Sequence, residues 1–466
     1  MRSVSAGGGR SPKSQRREEA QPPPGAVSPW VQLRSGTAHP FIYQRMVRAA
    51  DPAARPGDVV NIYDKSDKLF GRGLYNPSSM IVLRVLAYGD SPIDDAFWRA
   101  SLSRAIDLRR RLRIDETTDA YRLVHAEGDG LSGLVVERYA DCLVFEVFSL
   151  GMFQRCRMLA QHLADLLGPP PRMQLSPRSG QDTTPTPLGP PFARGEATPL
   201  NPPLLRGEAT PLSPPLSRGG ASWRVVVRAD EFIERTEGFR VAAAQQPEIG
   251  RLVIREHGIR FRVDAAGGHK TGFFCDQRDN RRRLATLCRD ATVLDLCCYT
   301  GGFSLCAKLL GGAREVTGVD LDEAAIAFAK ENANLNQTRI DFVQADAFAY
   351  LRLMIANGRR FDTVVLDPPK LAATRNDVED ALRKYNDLNA LAMQVVRSDG
   401  ILMTCSCSGL VSRQLFTETV FRAARRAGVS LQIFDQTGAG PDHPVMMNCP
   451  ESEYLKVLWL RVRPMR

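Results

Sequence analysis

Apolar positions along this chain follow two periods, and the switches between them divide the sequence. From residue 28 to about residue 90 the pattern is short and alternating. "PGDVVNIYDKSDKLFGRGLYNP" predicts a strand, a turn and a second strand. "SMIVLRVLAYG" predicts another, with Ile81, Leu83 and Val85 on one face. "DDAFWRASLSRAIDLRRRLR" then takes helical spacing and carries Arg109, Arg110, Arg111 and Arg113, expected on a solvated helix face. "DAYRLVHAEGDGLSGLVVERYADCLVFEVFS" predicts paired strands around turns at Gly128-Asp129-Gly130 and Ala140-Asp141, and "QRCRMLAQHLADLLG" predicts the helix that follows. "RLVIREHGIRFRVD" predicts a hairpin.

From about residue 245 strands and helices alternate. "ATVLDLCCYTGG", "EVTGVD", "IDFVQAD", "FDTVVLDPP" and "GILMTCSCS" read as strands, with helical segments between them. That order predicts a doubly wound α/β domain with a mostly parallel sheet over residues 245–466. Before it, residues 28–98 predict a small β-rich domain and residues 99–244 an α+β domain. Residues 1–27 predict a disordered basic tail. The α+β segment is interrupted over residues 169–221. There "TPLGPPFARGEA", "TPLNPPLLRGEA" and "TPLSPPLSRGGA" form a 12-residue repeat present three times, starting at Thr186, Thr198 and Thr210. Its proline density excludes helix and central strand. Three such repeats bury no core, so a disordered insertion in a surface loop is expected.

Charge adds a partner class. The net charge of +10 and a pI near 9.2 favour a polyanion, and a nucleic-acid-modifying protein is one candidate. The ten cysteines contain no C-x-x-C pair, which argues against a zinc ribbon or ferredoxin site; no metal is expected. No apolar segment suggests a signal peptide or a membrane span, so a cytoplasmic protein with free thiols is expected.

Ligands of doubly wound sheets bind beyond the carboxyl ends of the strands, near the switch in strand order. Asp295, Tyr299, Thr300, Gly301 and Gly302 form the first strand-to-helix turn there, where glycines admit a ligand to the backbone. The spacing is not G-x-G-x-x-G, which disfavours a dinucleotide. Asp320 ends the next strand and suits a ribose diol, and Asp346 ends the third and suits an adenine amino group. This series of acids fits S-adenosylmethionine, which carries ribose, adenine and an ammonium but no phosphate. "VVLDPPK" (364–370) then presents Asp367 on a proline-fixed turn, where a carboxylate can hold a planar base.

The fifth strand ends in "ILMTCSCSGL" (401–410), with Cys405 and Cys407 one residue apart. A thiolate adding to carbon 6 of a pyrimidine makes carbon 5 nucleophilic toward a sulfonium methyl. The thiolate needs local positive charge. The target base must be single-stranded or extruded.

"GHKTGFFCDQRDNR" (268–281), "LDLCCYTGGFS", "LDPPK" and "SCSGL" in this order resemble bacterial 23S rRNA (cytosine-5)-methyltransferases of the RlmI type. "HPFIYQRMV" and "GRGLYNPSSMIVLRVL" are similar to that family's N-terminal PUA domain. The central strands and "DHPVMMNCPESEYLKVLWLRV" are similar to its linking domain and C-terminal end. The likeness covers most of residues 28–466 outside the repeat. It implies a Rossmann-like methyltransferase domain, S-adenosylmethionine as cofactor and large-subunit rRNA as partner. Carried over by position, it makes Cys407 the nucleophile and Asp367 the group that orients the base. Asp320 and Asp346 would hold ribose and adenine, and Asp295, Tyr299, Thr300, Gly301 and Gly302 would line the methionine side. Gln277 and Arg278 would be polar contacts to the cofactor, and Lys270 would lie near RNA or the methionine carboxylate. Cys405 is expected as a packed neighbour. Lys370 stands where another cytosine-5 methyltransferase group has a second cysteine, so the base that takes the carbon-5 proton is left open. The competing readings are an RNA base N-methyltransferase that uses Asp367 without a covalent step, and a non-catalytic RNA-binding module. The oligomeric state, monomer or homodimer, is open.

Overall fold

The structure, a computed structural model, describes residues 21–170, 222–242, 249–265 and 272–465. The proline-rich repeat, Lys270 and the basic tail as far as residue 20 lie outside these residues.

Six strands form the N-terminal sheet: β1 (Trp30–Leu33), β2 (Phe41–Tyr43), β3 (Val47–Ala50), β4 (Val59–Tyr63), β5 (Leu69–Tyr75) and β6 (Ile81–Tyr88), in the order β2-β6-β5-β4-β1-β3. Val31, Leu33, Ile42, Val60, Ile62 and Leu83 fill its core.

Helix α1 (Asp95–Arg111) leads into the central sheet. Asp94 caps it by accepting from the Phe97 amide, and its apolar stripe (Trp98, Leu102, Ile106) packs with Leu123 and Phe145 of the sheet. The sheet comprises β7 (Ala120–His125), β8 (Leu134–Tyr139), β9 (Cys142–Val147) and β10 (Arg224–Arg228), in the order β10-β9-β8-β7. α2 (Leu150–Leu167), capped by Ser149, adds Met152, Leu159 and Leu163 to the same core. α3 (Glu231–Glu237) ends in a buried glutamate that accepts from Asn76 Nδ2 (2.9 Å) and from the Leu150 amide (3.1 Å), tying the first sheet to the second.

Arg109 departs from the expected solvated face. It is 2% exposed, lies 2.6 Å from Asp129 and donates to the Arg122 and Asp442 carbonyls. It falls on the same stripe of α1 as Trp98, Leu102 and Ile106, and the partners that make a buried arginine tolerable there are distant in sequence. Arg110, Arg111 and Arg113 are exposed.

The hairpin β11 (Leu252–Glu256) and β12 (Ile259–Val263) precedes the C-terminal sheet. After α4 (Arg278–Ala285), strand β13 (Thr292–Leu296) is buried at every position, as expected for a central parallel strand covered on both faces. The chain continues through α5 (Gly302–Leu309), β14 (Glu315–Asp320), α6 (Glu323–Leu335), β15 (Asp341–Gln344), α7 (Ala347–Ala356), β16 (Phe361–Leu366), α8 (Val378–Val395), β17 (Val396–Ser406), α9 (Arg413–Ala427), β18 (Val429–Thr437) and β19 (Lys456–Pro464). The strand order is β15-β14-β13-β16-β17-β19-β18. β13 to β17 pair in parallel, and β19 runs antiparallel to both β17 and β18. Order reverses between β13 and β16, so the crevice lies where Asp295 and Asp367 end neighbouring strands. Among the described residues no helix is long and apolar enough to cross a membrane.

The loop between β18 and β19 docks on the central sheet through Asp442. This fully buried carboxylate accepts from the Arg122 amide (2.9 Å) and from both terminal nitrogens of Arg278 (3.0 and 2.8 Å). The adjacent His443 ring, 3.2 Å away, and then Arg278 hold its carboxyl well below the usual carboxylate range despite burial. The approach is close: a side chain on Gly128 would put its Cβ 2.0 Å from the Pro444 carbonyl oxygen.

Candidate active site

The turn from β13 to α5 is wound tightly. Cys297, Tyr299 and Gly301 all have positive φ (60°, 49° and 82°). Glycine adopts this conformation freely, whereas each of the other two costs about 1–3 kcal/mol and persists because its surroundings impose it. Asp320 Oδ2 accepts from the Tyr299 amide at 2.8 Å, and Gly301 has no room for a Cβ, which would lie 2.9 Å from Phe342 Cζ. Below the turn, Asp295 Oδ2 accepts from the Ser304 amide (2.9 Å) and hydroxyl (2.6 Å). Its Oδ1 is buried with no hydrogen-bond partner among the described residues. Burial, outweighing the Ser304 bonds and helped by the charges of Asp367 and Asp320, pushes the Asp295 carboxyl up to about 7.

Over this turn opens a cavity of about 620 Å³, a volume typical of small-molecule sites. Tyr299, Thr300 and Gly302 line one side, and Asp320 and Asp346 stand on its wall. Asp346 also caps α7 through the Ala349 amide (3.0 Å). Strand-end acids therefore serve the fold and the cavity together.

Asp367 and Cys407 close the other end. Cys407 Sγ lies 3.9 Å from the carbonyl of Pro368. Gln277 also reaches the wall, but its amide is committed: Nε2 donates to Asp367 Oδ2 (2.9 Å) and lies 3.6 Å from Cys405 Sγ, and Oε1 accepts from Asn280 (2.7 Å). Cys405 is fully buried, and burial pushes its thiol up, with the Asp367 charge adding to it. Ser408 joins the loop after β17 to the loop after β16. Its Oγ accepts from the Leu371 and Ala372 amides (3.1 and 3.2 Å) and lies 3.1 Å from the Tyr385 hydroxyl.

The structure thus brings Gln277, Tyr299, Thr300, Gly302, Asp320, Asp346, Asp367 and Cys407 to one cavity. Asp295 and Gly301 lie beneath its wall rather than on it. Arg278, expected as a cofactor contact, is placed elsewhere: it is 2% exposed and held by Asp442 in the interior. Both Arg278 and Arg281 lie on α4, and it is Arg281 that reaches the wall. There it is paired with the buried Glu256 through two bonds (2.6 and 2.7 Å), and it stacks 4.6 Å from the Phe273 ring centroid. Phe274, from the "GHKTGFFCDQRDNR" segment, is a further wall residue, and so is Lys384, which no motif marked. The one group of potential metal ligands among the described residues, His39, Cys449 and Glu451, is not part of this wall. Its His39 ring is used on both sides, accepting from the Phe41 amide and lying 3.0 Å from Glu451.

A family described as S-adenosylmethionine-dependent methyltransferase matches residues 244–459, and a PUA-like domain family matches residues 33–88. The cofactor is therefore S-adenosylmethionine. The orphaned Asp295 oxygen, the left-handed turn without room for a Cβ and the acidic floor all fit a cationic nucleoside. In the solved structure of SMU.776 complexed with SAH the fold recurs with a TM-score of 0.69 at 18% identity, covering 93% of this chain and 99% of that one. The ribosomal RNA large subunit methyltransferase I of Enterobacter sp. (strain 638) is 34% identical over 428 residues, 91% of this chain and 95% of the relative. That of Tolumonas auensis is 35% identical over 427 residues with the same coverage. With a PUA-like domain in front of a Rossmann-like methyltransferase domain, and likeness along nearly its whole length, the chain belongs to the ribosomal RNA large subunit methyltransferase I family.

Proposed function

We propose that this protein methylates carbon 5 of a cytosine in large-subunit rRNA, with Cys407 as nucleophile and Asp367 as the group that orients the base. One observation carries the reading: the Cys407 thiol and the Asp367 carboxylate share the cavity whose other end has the strand-end acids of a nucleoside site. An N-methyltransferase needs the carboxylate and has no use for the thiol. The names of the relatives, the PUA-like domain and the net charge of +10 support an rRNA substrate.

Asp367 accepts a hydrogen bond from the exocyclic amine of an extruded cytosine and sets the ring against the thiol. The Cys407 thiolate forms a bond to carbon 6, and the ring electrons pass to carbon 5. S-adenosylmethionine, when bound, supplies the electrophilic methyl that carbon 5 takes. A base then removes the carbon-5 proton, the carbon–sulfur bond breaks and the thiolate is restored.

The test is incubation with S-adenosylmethionine and rRNA containing 5-fluorocytosine, where fluorine cannot leave as a proton. A covalent adduct that maps to Cys407 is expected. Absence of an adduct on an rRNA whose unfluorinated form is methylated rejects the thiolate step. Methylation retained by Cys407→Ala would assign N-methylation at Asp367 instead.

A further inference from the structure

We infer that Lys456 is a positioning residue for the nucleophile: its buried ammonium is the fixed cation that stabilises the Cys407 thiolate and secures the loop that carries it. The inference rests on the thiolate reading above.

A thiolate is badly served by this cavity's own charges. Burial pushes the neighbouring Cys297 thiol up, and Asp320, Asp367, Asp295 and Asp346 add to that rise. Asp367, on the turn after β16, lines the same cavity as Cys407, and Tyr385 of α8 and Cys405 of β17, both with raised pKa, bring no positive charge to it. The wall lysines, Lys370 and Lys384, are exposed and screened by solvent. Arg281 is neutralised by Glu256.

Lys456 supplies the missing charge from β19. It pairs in register with Ser406, one residue before the thiol, and its Nζ donates to the Ser408 carbonyl (2.7 Å), one residue after it. A second bond goes to the Tyr454 carbonyl (2.9 Å). The residue is 2% exposed, and no carboxylate forms a salt bridge with it among the described residues. Lysine is rarely buried without an anion. Arg413 and Glu453, which also act on it, are engaged with each other at 2.8 Å. The anion that remains is the thiolate. Burial pushes Lys456 down to about 8, and the Cys407 charge opposes that fall, as reciprocal coupling requires.

The test is the pH dependence of iodoacetamide alkylation at Cys407, followed by mass spectrometry of its peptide. Wild type, Lys456→Met and Lys456→Arg are compared, with cofactor binding measured by calorimetry. In Lys456→Met the midpoint should rise by about one pH unit or more, an approximately tenfold smaller thiolate fraction at pH 7, and Lys456→Arg should restore most of it. An unchanged midpoint in Lys456→Met that still binds cofactor overturns the inference. The reverse measurement does not depend on those variants folding. Cys407→Ala should lower the midpoint of the Lys456 ammonium, read by NMR of ε-carbon-labelled lysine, and no movement overturns the inference. If Cys407→Ala still methylates cytosine at carbon 5, the nucleophile assignment fails whatever Lys456 does. If that variant is inactive and the Lys456→Met midpoint is unmoved, only the role of Lys456 fails.

Discussion

Gln277 holds Asp367: the side-chain amide donates to the carboxylate at 2.9 Å across 90 residues of sequence. The bond leaves Oδ1 to face other groups and fixes the plane of the carboxylate against the cavity. Gln277→Ala should therefore lower single-turnover methylation about tenfold to a hundredfold, matching the loss of one charge-assisted hydrogen bond of about 1.5–3 kcal/mol. Cofactor affinity, measured by calorimetry, should change by less than about threefold. A larger loss of affinity than of rate would place Gln277 among the cofactor contacts instead.

Cofactor binding should strengthen as pH rises from 6 to 8. Burial, with the Asp367 and Asp320 charges, puts the Asp295 carboxyl near 7, so it is partly protonated in the free protein. A cationic ligand favours the ionised form, and binding below pH 7 must therefore release a proton. Calorimetry in two buffers of different ionisation enthalpy should show that release, and Asp295→Asn should abolish it.

Gly301→Ala tests the turn. Alanine at φ 82° is strained by about 1–2 kcal/mol, and its Cβ would press on Phe342. The dissociation constant for S-adenosylmethionine should rise about tenfold or more while the protein still unfolds cooperatively. A wild-type affinity would show that the turn opens at little cost.

Asp442→Ala should be the most destabilising of these changes. It leaves the buried Arg278 guanidinium with only the half-exposed Asp279 as partner, and losing a buried partner typically costs about 3–5 kcal/mol. The pH dependence follows from the depressed folded pKa. The stabilisation is fully present above the unfolded aspartate value of about 3.9 and is lost as pH falls through the lower folded value. Acid unfolding of the wild type should steepen below about pH 4, and Asp442→Ala should flatten that limb. Circular dichroism against pH measures both.

Elements with a strong period were legible from sequence: α1, the β7–β9 strands and the parallel strands β13–β17 stand where the pattern put them. What the pattern carried less well was pairing. Arg109 has helical spacing on an inner stripe, but its Asp129 and Asp442 partners arrive by tertiary contact. Gln277 and Arg278 are adjacent and equally polar, yet one reaches the cavity wall and the other turns inward, because Gln277 ends the tight turn before α4 and Arg278 opens the helix. Cys297 and Tyr299 adopt left-handed backbone without being glycine, so no residue type announced them. Lys456 was invisible for a different reason: its bond to the Ser408 carbonyl, one residue after the thiol, is made between antiparallel β17 and β19, a pairing that composition does not encode.

The Asp442 junction also sets an order of events during synthesis. Arg122 and Arg109 precede Asp442 by 320 and 333 residues. While the nascent chain grows, the central sheet can form its strands and its Arg109–Asp129 pair, but the amide and guanidinium that Asp442 will accept from stay open to water. The last loop then seals both sheets at once. A ribosome stalled before residue 442 would hold a central domain whose Arg122 amide and Arg109 guanidinium lack these acceptors.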